Sequence, residues 1–249
     1  MSTRWSEEAA LKFDIGAILR FWLDAGVEMQ VERFCSKEKE EKLQISLNSG
    51  MLHINLHGRP DGRRPQGFPS YYDYYLQQTR AAAKQKREYG LSWEAELQLK
   101  QEFILYFVRN LALFKLAKFH LAAQDAKHNL LLLDFGLRGS TNPLLRQSFA
   151  KPMPECQMLY HQALAMISLH DDKVAEARCY LHKGLQHIHH TYYLLKQQGI
   201  SSPRYTSYVL EKMIERLELQ PPLKSSRWVE RLTRQSLLKE KKQYHFLFD

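Results

Sequence analysis

Between residues 93 and 219 apolar side chains recur every three to four positions, and that spacing limits what the chain can become more than any other property it has. A period near 3.6 gathers such residues on one face of a helix, and a face of that kind has to be buried against another element. Leu97, Phe103, Ile104, Phe107, Val108, Leu111, Leu113, Phe114 and Leu116 predict one long helix, started by the Ser92 cap before Trp93 and reaching about Lys118. Leu121, Ala122, Ala126, Leu130, Leu131 and Leu133 predict a partner helix that ends near Gly136 or Gly139. Pro152 and Pro154 open a third, through Met158, Leu159, Ala163, Leu164, Met166 and Ile167. The turn His170-Asp171-Asp172 leads into a fourth over residues 173–198, stopped by Gly199. A helix over residues 203–219 follows, and Pro221 and Pro222 then break the chain.

The N-terminal part reads differently. Residues 7–25 predict a short amphipathic helix closed by Gly26. After residues 27–34 and a charged Ser-Lys-Glu-Lys-Glu-Glu-Lys run, Leu43, Ile45 and Leu47 alternate with Gln44 and Ser46, the period of a strand. Asn48, Ser49 and Gly50 then turn the chain into a second run with Met51, Leu52, Ile54 and Leu56, so a small antiparallel hairpin is expected between residues 27 and 57. Two or three strands need a helix over their apolar face. Residues 58–69 concentrate glycine and proline around the β-turn signature Pro60-Asp61-Gly62. Ser70 caps a helix expected to run to Gly90, and a last, basic helix is expected from about Ser226.

The third and fourth long helices fit a tetratricopeptide-like unit, with Leu164 and Ala165 in the first facing Ala177, Leu181 and Gly184 in the second. The earlier pair offers Leu111, Ala122 or Ala123, and Ala126 in similar roles. Ala122 and Ala177 are 55 positions apart, so a tandem array of the usual period of about 34 residues is absent; an insertion containing residues 142–150 would account for the excess. An ordinary helical bundle is the alternative.

At 249 residues, 44% of them apolar, the chain is long enough to bury a core without disulfides or metals. The richest apolar stretch is interrupted by Arg109, Asn110 and Lys115, which argues against a membrane span, and the first ten residues carry Trp5, Glu7 and Glu8 where a secretory signal needs a basic start. A cytoplasmic protein is expected. Cys35, Cys156 and Cys179, odd in number and widely spaced, read as reduced, buried apolar side chains. The formal charge of +9 favours polyanionic partners, nucleic acid or an acidic protein.

Few residues suggest chemistry. His182, Gln186 and His189, or His187 and His190, share a helix face, but carboxylates or a third ligand at metal-binding spacing are missing, so a partly buried face with Tyr192 and Tyr193 is expected and neither metal nor cofactor is. Asp125 and His128, three apart, read as a local hydrogen bond. Glycine-rich phosphate loops, the nucleophile elbow and the paired-histidine zinc motif are all missing, which lowers the expectation of an enzyme. The most unusual local feature is the loop 58–69, where Arg59, Arg63 and Arg64 surround Asp61 and are followed by Phe68. Arginine forks suit carboxylate or phosphate recognition, which makes Arg59, Asp61, Arg63, Arg64 and Phe68 the candidate binding loop. The competing reading has Arg59 and Asp61 brace the turn while Phe68 packs under it and the other arginines stay solvated.

The stretch LQISLNSGMLHINLHGRPDGRRPQGFPSYYDYY, followed by RNLALFKLAKFHLAAQDAKHNLLLLDFG, resembles a group of bacterial proteins named for a C-terminal UvrB/UvrC (UVR) interaction motif, a largely uncharacterised family. The resemblance covers roughly residues 27–220 and rests most on Gly50, Gly58-Arg59-Pro60-Asp61-Gly62, Pro65, Asp125, Asn129 and Leu132-Leu133-Asp134. In UvrB the motif is a helical hairpin that docks on UvrC, so the resemblance implies a protein-interaction role. Here the tail RWVERLTRQSLLKEKKQYHFLFD occupies the motif's place without its acidic, Glu-rich helix or the Ala-Ala-x-Leu-Arg-Asp element that follows, and its basic helix with an apolar end is read first as a cap on the bundle, with engagement of a partner as the alternative.

The sequence thus predicts a mainly α protein of helical hairpins with tetratricopeptide-like packing plus a small N-terminal antiparallel β-hairpin. Three segments are expected: residues 1–69 with the N-terminal helix, hairpin and loop; a helical body over 70–220; and a basic helix over 221–249. The expected function is a non-enzymatic protein-interaction scaffold or adaptor. The rival is a nucleic-acid-associated protein using Arg59, Arg63, Arg64, Lys84, Lys86 and Arg87 along one surface.

Overall fold

The structure is a computed structural model that describes residues 29–37, 39–47, 50–87, 89–200 and 205–219. The helix expected over residues 7–25, Asn48 and Ser49 of the hairpin turn, and the basic C-terminal helix lie outside the described residues.

The molecule is mainly helical with a small antiparallel sheet near its N-terminus, as the two periodicities predict. Strands β1 (Gln30–Cys35), β2 (Glu41–Leu47) and β3 (Gly50–Asn55) lie in the order β1-β2-β3. In register, Val31 faces Ile45, Arg33 faces Leu43, Leu43 faces Ile54 and Ile45 faces Leu52. Because strand side chains alternate, this stacks Leu43, Ile45 and Ile54 on one face, and all three are buried in the main core. The charged run between β1 and β2 is a tight connection closed by Ser36 N donating to Glu40 O at 2.9 Å, with Lys39 at φ 62°.

Among the described residues seven α-helices follow: α1 (Tyr71–Lys84), α2 (Trp93–Lys115), α3 (Phe119–Gly139), α4 (Pro143–Ala150), α5 (Met153–His170), α6 (Val174–Gln197) and α7 (Tyr205–Leu219). Ser70 and Ser92 are N-caps as expected, their hydroxyls accepting from Asp73 N and Ala95 N. The first helix stops at Lys84, six residues short of Gly90. Lys86 takes a left-handed conformation (φ 55°), and Arg87 N bonds back to Ala82 O at 3.0 Å, which closes the helix without a glycine. The expected insertion after α3 contains a helix of its own, α4, started by Pro143 and capped by Asn142.

From α2 onward, helices pack against their neighbours in chain order: α2 on α3, α3 on α5, α5 on α6, and α6 on α7, with α4 tucked beside α3. The turns joining α2 to α3 and α5 to α6 are built alike. Ala117 and Asp172 have φ of 54° and 60°, and Lys118 and Lys173, which start the next helices, have φ/ψ of −90°/59° and −91°/65°. Lys118 N bonds Leu113 O, and Lys173 N bonds Ser168 O, at 2.9 and 2.8 Å. All these positions are 55 residues apart, as are the fully buried Ala122 and Ala177. The spacing exceeds the tetratricopeptide period of about 34 because α3 is 21 residues long and α4 is inserted after it.

One buried cluster runs from Leu43, Ile45 and Ile54 in the sheet through Phe103, Leu113, Leu132, Leu133, Ala165 and Leu181 to Leu210 and Leu217. Gly184 marks a close approach within it: a Cβ there would stand 2.7 Å from both His161 Cβ and Leu210 Cδ1. Of the cysteines only Cys156 is buried. Cys35 and Cys179 are exposed, because one ends the outer strand β1 and the other lies on the outward arc of α6.

Candidate binding loop and the ionic cluster beneath it

The loop after β3 opens with a turn held by Gly62 N donating to Arg59 O at 2.9 Å, and Asn55 N donates to Pro60 O at 2.8 Å. Gly62 sits at φ 72°, where a side chain would be strained, and a Cβ there would also meet the Asn55 amide at 2.8 Å. The turn directs Arg59 inward. Its Nε donates to Asp61 Oδ1 at 2.7 Å, its Nη1 donates to Glu102 Oε2 at 2.6 Å, and its guanidinium lies 4.7 Å above the Tyr71 ring.

Glu102 comes from the middle of α2 and is wholly buried. The same carboxylate meets the first amides of α1: Tyr71 N donates to Oε2 at 2.7 Å and Tyr72 N to Oε1 at 3.1 Å, so the negative charge sits at the positive end of that helix. His128 Nε2, from α3, stands 3.2 Å from Oε1, and its ring stacks on Tyr106 with centroids 3.9 Å apart. Both oxygens therefore have two partners each, which fills the acceptor capacity of a carboxylate.

A second buried pair lies about two helical turns further along α2. Arg109 forms a two-pronged contact with Asp125, Nε to Oδ2 at 2.8 Å and Nη2 to Oδ1 at 2.7 Å, and its remaining nitrogen Nη1 donates to Asn55 O at 3.0 Å and Gly58 O at 2.7 Å. Burial pushes the Asp125 carboxyl up, and the Arg109 guanidinium opposes that shift. The Tyr106 phenol is raised by burial and then by the Glu102 charge. Two ion pairs thus bolt the end of β3, the loop and the start of α1 onto the α2–α3 hairpin. Removing one partner of such a pair strands a charge in the interior.

The five loop residues divide accordingly. Arg59 and Asp61 brace the turn, Asp61 also accepting from Arg63 N at 3.1 Å. Phe68 is half-buried against Tyr74, with ring centroids 5.5 Å apart. Arg63 and Arg64 are exposed. Since Arg59 is buried, the basic surface expected to include it consists of Arg63, Arg64, Lys84, Lys86 and Arg87, with the α1 helix, about 21 Å long, between the two arginines and the rest. His128 turns to Glu102 and not to Asp125, its neighbour in sequence. Sequence reasoning missed Glu102 and Arg109 as a functional pair of anchors; the signal was two opposite charges seven positions apart on the helix that holds the richest apolar stretch, residues 103–116.

Elsewhere, His161 in α5 is buried and its Nε2 lies 3.0 Å from His187 Nδ1 in α6. Burial, and then the neighbouring His187, lowers His161 to about 4. His182, His187, His189 and His190 are all exposed, which corrects the expected partly buried face: the inward positions of α6 are Ala177, Leu181, Gly184, Ile188, Thr191 and Leu195. Among the described residues no three histidine, cysteine, aspartate or glutamate side chains are grouped to hold a metal ion. A depression of about 240 Å³ lies at the α2–α3 turn, between Phe119, His120, Ile167 and His170.

These features define a mainly helical protein whose small sheet and loop are locked to a helical hairpin by buried ion pairs, and no helix among its described residues is long and apolar enough to cross a membrane. Comparison with known proteins finds no match, whether among family models, curated proteins or solved structures.

Proposed function

We propose that the protein is a non-enzymatic interaction scaffold with tetratricopeptide-like helical hairpins, akin to the bacterial UVR-motif proteins its sequence resembles, and that its partner is another protein. The observation that carries this reading is the row of helices α2, α3, α5, α6 and α7, stacked in chain order through two turns of one geometry. Such stacking buries one side of each helix and leaves the other as a continuous working surface. Exposed apolar side chains on that surface, Leu131 in α3 and Tyr193 and Leu194 in α6, are of the kind that partners cover. The ionic cluster gives the loop 58–69 a fixed shape, so Arg63 and Arg64 are presented from a rigid base.

The test is affinity capture with the full chain as bait in nuclease-treated lysate, beside an Arg63→Ala/Arg64→Ala variant. A protein partner retained in near-equimolar amount is the expected result, and retention of none above background defeats the reading. Unchanged capture by the variant would remove the loop from the contact. A second reading, a nucleic-acid-associated protein, draws on the formal charge of +9.

A further inference from the structure

We propose that the outward arc of α6 binds single-stranded nucleic acid. Residues 177–210 contain no aspartate or glutamate but hold Arg178, Lys183, Lys196, Arg204 and four histidines, in a chain that elsewhere carries 27 acidic residues. In α6 the only acidic side chain is Glu176, in the first turn. Six of the helix's 24 residues are buried, and the cations are not among them. Arg178, Lys183 and Lys196 are exposed, and none forms an ion pair with a carboxylate of the described residues. On the adjoining helix α7, Glu215 is engaged by Lys212, and Glu211 and Glu218 are exposed.

The placement along α6 gives the patch its chemistry. Positions 178, 182, 189, 193 and 196 fall within about 60° of one another around a helix of 3.6 residues per turn. They set Arg178, His182, His189, Tyr193 and Lys196 in a single stripe about 27 Å long, all exposed, with Tyr193 60% accessible. Cations at the two ends with flat rings between them suit a strand that offers phosphates and unstacked bases together: the cations meet the backbone, and every base has a face that stacks on imidazole or phenol. An acidic peptide would meet the charges but has no use for a row of open rings without an aliphatic anchor among them. The binding requires nothing of the loop 58–69, and it shares only Tyr193 with the exposed apolar side chains of the scaffold reading.

The experiment is fluorescence anisotropy of the full chain with a labelled twenty-nucleotide oligo-dT at low and rising salt. Binding is expected, with an affinity that falls as salt is added. The Arg178→Glu/Lys196→Glu variant should weaken it about tenfold or more and flatten the salt dependence by about 1.4 powers of concentration, as loss of two phosphate contacts requires. Tyr193→Ala should weaken it about fivefold or more through lost stacking. Arg63→Glu/Arg64→Glu, a charge reversal elsewhere, should change it less than about threefold. Absence of binding by the wild type, equal loss in both reversal variants, or an unchanged affinity in the α6 variant would overturn the proposal. So would polyglutamate displacing the label as well as unlabelled oligo-dT does, which would assign the arc to an acidic protein segment. Should the double reversal fail to fold, as judged by circular dichroism, the Arg178→Gln/Lys196→Gln variant carries the same test.

Discussion

Arg59 and Arg63 are four residues apart in one loop, yet the first is 7% exposed with two carboxylate partners and the second faces solvent. The difference predicts sharply different costs. Glu102→Gln leaves the buried guanidinium short of a counter-charge and is expected to lower unfolding free energy in urea by about 3 kcal/mol, whereas Arg63→Ala should stay within about 0.5 kcal/mol. Buried His161 makes stability depend on pH. Its folded value of about 4 lies below the 6.5 of an unperturbed imidazole, so the unfolded chain takes up the proton first. The neutral ring's contribution is therefore complete above pH 6.5 and is lost as pH falls from there towards 4. The loss approaches about 3 kcal/mol at most, at roughly 1.4 kcal/mol per pH unit. Thermal melts across that window should show His161→Gln less sensitive to acid than the wild type; parallel pH profiles would contradict this.

At the scale of elements, the two matching helix–helix turns, α2–α3 and α5–α6, carry non-glycine residues in the left-handed region. Ala117→Gly is expected to raise stability by about 1 kcal/mol in chemical denaturation, and Asp172→Gly by less, because aspartate tolerates that conformation better than alanine. Gly184→Ala should act the other way. The new methyl meets His161 Cβ, which cannot step aside, and overpacking of this kind costs about 1–3 kcal/mol against a helix-propensity gain of about 1. These elements were legible in the sequence to the degree that their causes are local. A 3.6 period, the caps Ser70 and Ser92 and the Leu43-Ile45 alternation each lie within one short window, and so the helices and strands could be read. The early stop of α1 at Lys84 was not legible, since Lys86 adopts a glycine-like conformation. Nor were the ion pairs: Arg109 and Asp125 are 16 residues apart and Arg59 and Glu102 are 43 apart, and only the packed hairpin brings them together. Of the candidate loop, the sequence could mark Arg59 as unusual but not say which way its side chain would point.

For the whole molecule, sheet and helices share one buried cluster, and Arg109 is the side chain that reaches from the helical hairpin to the backbone of Asn55 and Gly58. In native-state hydrogen exchange, the amides of Leu43 and Ile45 should open together with those of Leu113 and Leu132 in the wild type. In Arg109→Leu the β2 amides should exchange first, while those of Ala163 and Leu181 keep their protection. Simultaneous loss in both proteins would show that the apolar cluster, not the ion pair, couples the two parts. The matching turns at Ala117 and Asp172 bear on how such a molecule changes length. Excision of residues 118–172 would join Ala117 directly to Lys173, and the junction would inherit the backbone angles that either parent turn already has. A gene with this arrangement can shed or duplicate the 55 codons that encode α3, α4 and α5 without inventing a new corner.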